Sequence, residues 1–161
     1  MPGCAIAAII GAVVMVFGVV VVAMLAAIAL PAYQDYLAKS RVVQAYTMAQ
    51  SFQGAVDEQR EQSGTCPDNA ALSLADDETL ELGDGTGDRA AQAAIVAGVL
   101  DNGNCAIEIT FANVNAVVDG KTLLLESTGT GWQCHEGTLD AKYRPGQCRA
   151  SNLPSPTESN P

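Results

Sequence analysis

The sequence predicts an α+β protein in which one long helix, apolar at its start and one-sided further on, packs along an antiparallel β-sheet. Three observations carry that expectation. Residues 4–30 are apolar and uncharged throughout. Residues 42–56 repeat apolar side chains at helical spacing. From residue 105 onward they recur at every second position.

The helix comes first. A bilayer is crossed by roughly 20 apolar residues in helical form, and the run from Cys4 to Leu30 exceeds that. No Lys or Arg precedes it, so the basic start of a cleaved signal is missing. The run is also too long and too uniform for a buried core helix. It reads as a membrane-spanning segment. Pro31 follows at once, with Tyr33 and Tyr36 close behind. Two readings of Pro31 stand side by side. It kinks one continuous helix and so acts as a hinge, or it opens a second helix at its first turn. Beyond it, Val42, Ala45, Ala49, Phe52 and Val56 fall at intervals of 3, 4, 3 and 4. Gln44, Gln50, Gln53 and Asp57 lie elsewhere on the wheel. That is a helix with one buried stripe. Its expected end is near residue 61, with Gly64 as a left-handed cap and Pro67 just after.

The stretch CPDNAALSLADDETLELGDGTGDRA reads as a long connecting loop. Within it DGTGD (84–88) lacks the spacing and distal Glu of a helix-loop-helix calcium site. A solvated turn is expected there, and no metal. RAAQAAIVAGVL fits either a short helix or a strand. In CAIEITF, Ile107, Ile109 and Phe111 share one face, and Glu108 and Thr110 the other. VNAVV and KTLLLES read as a hairpin closed by Asp119-Gly120. GTGWQC (129–134) supplies a further short strand. The tail SNLPSPTESNP, rich in Pro and Ser, is expected to be disordered.

Composition narrows the function. The chain has 18 acidic against 8 basic side chains, a net charge of −10, and the first charge is Asp35. Such a domain repels nucleic acid, and aromatics at 5% offer little to stack on. Nucleic-acid binding by the isolated subunit is not expected. Lys39 and Arg41, just past the span, would hold the following domain in the cytoplasm. The cysteines point the other way. Cys66, Cys105, Cys134 and Cys148 are an even set in a small acidic domain, which suits disulfides in an oxidising compartment. None has C-x-x-C spacing, and His135 alone completes no zinc site. Four cysteines outweigh two charges. No nucleophile–base pair, phosphate loop or metal cluster is found, so neither an enzyme nor a cofactor is expected. His135 reads as an exposed loop residue.

AAIALPAYQDYLAKS resembles the first helix of bacterial type IV pilins, in which an apolar stem runs into a proline and two tyrosines. SGTCPDNAA, NCAIEITF, DGKTLLLES and GWQC…YRPGQC resemble that family's helix-to-sheet loop, central strands and closing disulfide-bounded segment. The likeness runs in order over residues 23–149. It implies an assembly stem over 1–31, a pilin globular domain over 32–150 that includes the amphipathic helix, and a tail over 151–161. By the same resemblance Cys134 pairs with Cys148 around an exposed C-terminal loop, and Cys66 pairs with Cys105. Pro31, Tyr33 and Tyr36 mark a helix segment that bends as subunits pack. Ala23, Ala26 and Ala27 let neighbouring stems approach closely.

The implied function is that of a structural subunit. It would polymerise with copies of itself, through its N-terminal helix and with assembly machinery, into a type IV pilus-like filament for adhesion, twitching motility or DNA uptake. It would start in the bacterial inner membrane with a periplasmic C-terminal domain and end in an extracellular filament. One feature departs from the family. A leader ending in Gly is cut before an aromatic residue, with a Glu four residues on. Counted from Pro31, the cut would fall between Ile9 and Ile10, and the Glu at Val14. Two alternatives follow. A minor pilin or pseudopilin of a secretion apparatus is one, although secretion pseudopilins carry a calcium loop where this chain has its two-cysteine ending. A non-polymerising, membrane-anchored periplasmic binding module is the other, and Val14 favours it.

Overall fold

A computed structural model describes residues 2–75, 78–83, 90–135 and 137–149, with side chains from residue 10 onward apart from that of His135. The expected turn at 84–88 and the tail at 151–161 lie outside the described residues. The chain divides into two compact units, Met1–Leu37 and Ala38–Pro161. Helix α1, Pro2–Ser63, begins in the first and ends in the second.

In the first unit Pro31 lies inside α1. It therefore does not open a separate helix. A proline has no N–H to offer the carbonyl four residues back, here that of Ala27.

In the second unit the stripe on α1 buries Ala38, Val42, Ala45, Tyr46, Ala49 and Val56. Phe52 is only half-buried and packs at the margin of this cluster. The helix ends at a left-handed Gly64, φ 72°, whose N–H donates to the Arg60 carbonyl at 2.8 Å. Only glycine takes that conformation at no steric cost.

Five strands follow: β1 Thr79–Leu82, β2 Ala91–Val99, β3 Cys105–Ala112, β4 Thr122–Thr128 and β5 Gly131–His135. They pair antiparallel in sequence order, a simple meander. The register aligns Ala93 with Phe111, Ile95 with Ile109 and Ala97 with Ile107. It then aligns Ile107 with Leu125 and Ile109 with Leu123. Directly opposed residues share a face, so these side chains form one inner surface. All of them are buried, and all but Ala97 join the α1 stripe in a single core.

Three expectations are corrected here, and one left open is settled. Residues 65–90 are not one loop, because they contain β1, an edge strand. Residues 91–99, open between helix and strand, form β2 and bury every second residue from Ala91 to Ala97. Alanine has little strand preference of its own; the neighbours on both sides decide. VNAVV is not a strand of an Asp119-Gly120 hairpin. Asn115 Oδ1 accepts the N–H groups of Val117 and Val118 at 3.0 and 2.9 Å, and Asp119 Oδ1 accepts that of Val114 at 2.7 Å. These side-chain bonds fold 113–121 into turns, the usual competition of Asn and Asp with the ladder. Val118 still reaches the core. Finally, His135 ends β5 and is not a loop residue.

The open side of β2 is closed by one side chain. Beyond its pairing with β1, Ile95 N–H donates to the Glu78 carbonyl at 2.9 Å. Asn69, 5% exposed, then does what a strand residue would do. Its Nδ2 donates to the Ile95 carbonyl at 2.9 Å, and its Oδ1 accepts the Ala97 N–H at 2.7 Å. Sealing an edge in this way removes a template for pairing with other chains.

Two predictions follow, for the chain from Ala32 onward freed of its apolar stem. Asn69→Ala leaves two backbone groups of β2 unpaired, and each such group costs about 1–3 kcal/mol. Hydrogen exchange should show the Ala97 amide losing protection while β3 and β4 keep theirs. The second concerns the two core phenylalanines. Phe111, fully buried, should cost about 3–5 kcal/mol on truncation to Ala. Half-buried Phe52 should cost roughly half of that. Denaturant midpoints of the two variants check the order; an equal loss would mean that Phe52 is as deeply packed as Phe111.

Candidate functional site

Two parts of the chain bear on function, and each is taken by itself. The first is the stem. Among the described residues one helix is long and apolar enough to cross a membrane, with a mean hydropathy of 3.0 over its most apolar stretch. Between Ile10 and Leu30, fourteen large apolar side chains stand exposed, among them Met15, Phe17 and Ile28 at 70% or more. Burying one such side chain is worth about 1.5–3 kcal/mol. Leaving fourteen in water therefore costs on the order of 20–40 kcal/mol, more than the roughly 5–15 kcal/mol that holds a domain folded. Lipid or neighbouring copies must cover this surface. Ala23 and Ala27 are exposed and Ala26 half-exposed, a patch of small side chains at spacings of one helical turn. Tyr33 and Tyr36, just past Pro31, are 60% and 69% exposed.

The second part is the C-terminal segment. Cys134 on β5 is bonded to Cys148 in a short 3-10 turn, Gly146–Cys148, with their Cα atoms 5.0 Å apart. The segment between them is anchored at several points. Leu139 and Tyr143 sink into the core. Thr122 and Thr138 exchange bonds, each backbone N–H donating to the other's hydroxyl at 2.9 and 3.1 Å. The Leu139 N–H donates to the Thr122 carbonyl at 3.0 Å. A Cβ on Gly137 would run into that same carbonyl, so glycine is required there. Arg144 Nε donates to the Leu139 carbonyl at 2.7 Å. The second disulfide joins Cys66, just past the helix cap, to the buried Cys105 at the start of β3.

Sequence reasoning missed a polar tie between helix and sheet. Trp132 Nε1 donates to Asp57 Oδ2 at 2.9 Å, and Ser127 Oγ lies 3.5 Å from Asp57 Oδ1. Asp57 had been placed on the polar side of the wheel; it sits at the edge of the stripe, facing β4 and β5. Likewise Gln44 Oε1 accepts the Gly83 N–H at 2.9 Å at the end of β1. Glu126, 5% exposed, takes bonds from Asn102 Nδ2 and Asn104 Nδ2 at 2.7 and 2.6 Å. These hold the β2–β3 turn. Among the described residues no group of three or more His, Cys, Asp or Glu is placed to hold a metal ion.

An apolar stem, a four-residue edge strand leading into a meander, and a disulfide-closed segment at its end together define a class of protein. A family profile described as pilin, a bacterial filament protein, matches residues 38–149. The chain is 35% identical to the fimbrial protein EcpC of Eikenella corrodens over 144 residues, covering 86% of this chain and 88% of that one. It is 27% identical to the type IV major pilin protein PilE of Neisseria gonorrhoeae, covering 81% and 87%. It is 29% identical to the type IV major alpha-pilin of Moraxella bovis, covering 78% and 84%. The chain belongs to the type IV pilin family and is a structural subunit of a bacterial filament.

The Asp57–Trp132 pair should be measurable. In a double-mutant cycle of Asp57→Asn and Trp132→Phe, a charge-assisted bond of this kind predicts a coupling of about 1.5–3 kcal/mol. Additive losses would mean that the two groups do not act together.

Proposed function

We propose that this chain polymerises through the N-terminal half of α1 into a type IV pilus-like filament that serves adhesion, twitching motility or DNA uptake. The observation that carries this reading is the stem. Its exposed apolar side chains need either lipid or other stems around them, and a filament subunit uses the two in succession. Before assembly the stem lies in the inner membrane, with the C-terminal domain in the periplasm, where two disulfides persist. Assembly machinery then draws the subunit out, and parallel stems replace the lipid. Pro31, inside α1, supplies the bend as subunits pack. Ala23, Ala26 and Ala27 supply the close approach. The role is structural; the chain acts on no substrate.

A second reading keeps the same fold without polymerisation: a membrane-anchored binding module. One observation favours it. Position 14, where the family resemblance calls for a Glu, is an exposed valine.

Cells with intact assembly machinery decide between them. Fibres sheared from the surface should contain this chain. Replacing Ala26 and Ala27 together by Leu should lower fibre yield by about tenfold while the membrane pool stays folded and disulfide-bonded. Abundant folded protein with no fibre would overturn the filament reading and leave the binding module.

A further inference from the structure

We propose that the outer face of the β-sheet is a docking surface for the C-terminal loop of a second copy of this chain. The proposal rests on the filament reading and names one contact between the folded domains within it.

The inner face of the sheet is covered by α1; the outer face is not. Val96 is 51% exposed in the middle of it, beside Ala106 and half-buried Leu124. Val96, Gly98, Ala106, Glu108 and Leu124 line a depression of about 150 Å³. The register sets Val96 opposite Glu108, and Glu108 opposite Leu124. A carboxylate is thereby held between two aliphatic side chains. Glu108 has no hydrogen-bond or ion-pair partner among the described residues. Glu126 stands one row further along, opposite Ala106. The five strands carry no Lys or Arg at all. A small apolar patch of Val96, Ala106 and Leu124 around a carboxylate calls for a cationic, partly apolar partner.

The chain carries such a partner itself. Residues 137–149 hold Lys142, Arg144 and Arg149 against one acid, Asp140, in a chain whose net charge is −10. The Cys134–Cys148 bond and the buried Leu139 and Tyr143 fix this segment in place. Lys142 and Arg149 are exposed upon it, and Lys142 lies 5.0 Å from the Tyr143 ring centroid. A loop already ordered loses little freedom on docking.

Two arguments select a second copy over any other occupant. Copies of one acidic domain packed side by side repel each other unless acids meet bases, and this loop holds three of the chain's eight basic side chains. In addition, the two surfaces are different parts of the same chain. Their contact is head-to-tail, and such a contact propagates into a helical filament unless its rotation closes a ring. Complementary charge of this kind sets orientation and register more than raw affinity.

The test uses the full chain in cells with intact assembly machinery. Glu108→Lys should cut sheared fibre about tenfold, as should Lys142→Glu with Arg149→Glu. The membrane pool should keep its amount and both disulfides. Combining all three substitutions should restore fibre to within about threefold of the wild type, which a mere folding defect would not allow. Fibres unaffected by either reversal, or lost and not restored by the combination, would overturn the proposal and leave the filament reading intact. So would normal fibres that no longer attach cells to a surface after Glu108→Lys, since the face would then serve another partner. Absence of fibre from the wild-type chain would overturn the filament reading itself, and this contact with it.

Discussion

One stripe of small side chains on the second half of α1 makes the sheet possible. An antiparallel sheet with one apolar face must cover that face. Ala38, Val42, Ala45, Ala49 and Val56 provide the cover, and β2 answers with Ala91, Ala93 and Ile95. The bulk of the core comes from Ile107, Ile109 and Phe111 on β3 and from Leu123 and Leu125 on β4. Remove the stripe and these residues meet water, at about 1.5–3 kcal/mol each. The polar ties sit along the same helix. Gln44 holds the end of β1, Asp57 holds Trp132 on β5, and Cys66 follows directly after the Gly64 cap to reach Cys105. The helix thus fixes both edges of the sheet as well as its middle.

The stripe was legible because a 3.6-residue period is hard to imitate. It was legible only in part. Ala38 extends the same spacing toward the N-terminus, and nothing but its distance from the strongest repeats hid it. Tyr46 widens the buried face, while its hydroxyl accepts a bond from Gln50 Nε2 at 3.1 Å, which satisfies its polar tip. The strands with Val, Ile and Leu in alternation were readable. The alanine-rich β2 was not, since alanine fits a helix as well, and only the presence of β1 and β3 on either side settles it. The Asp119-Gly120 signal was real as dihedral chemistry, with Gly120 at φ 70°. It misled about pairing because Asn115 and Asp119 use their own oxygens to close the turn.

The site was legible to a different depth. Counting cysteines points to disulfides; the order of motifs, through family resemblance, implies the pairing of Cys134 with Cys148 and of Cys66 with Cys105 that the structure has. Neither route could find Asn69. Its role depends on β1 being four residues long, which leaves Ile95 and Ala97 to be paired by something else. A helical wheel could not find the Asp57–Trp132 bond either. The wheel separates apolar from polar residues, but a polar residue at the border of the stripe faces the sheet as readily as it faces water. The partner strand decides, and that strand lies 75 residues away in the sequence.

The same reasoning explains how the two halves of the chain divide their tasks. Side chains of the stem from Ile10 to Leu30 carry no charge and no strong hydrogen-bonding group. Apolar association is non-directional and roughly proportional to area. In a run as repetitive as VVMVFGVVVVAM, sliding one stem past another by a helical turn exchanges valine for valine and changes little. With Val14 where a carboxylate would fix the position, such packing supplies strength without a preferred register. Register must then come from groups that are directional and sparse. The groups proposed for that task lie in the folded domain: the acids of the sheet face and the bases of the disulfide-closed loop. On that proposal, a stem that packs in many registers and a domain that fits in one together give a filament its defined step.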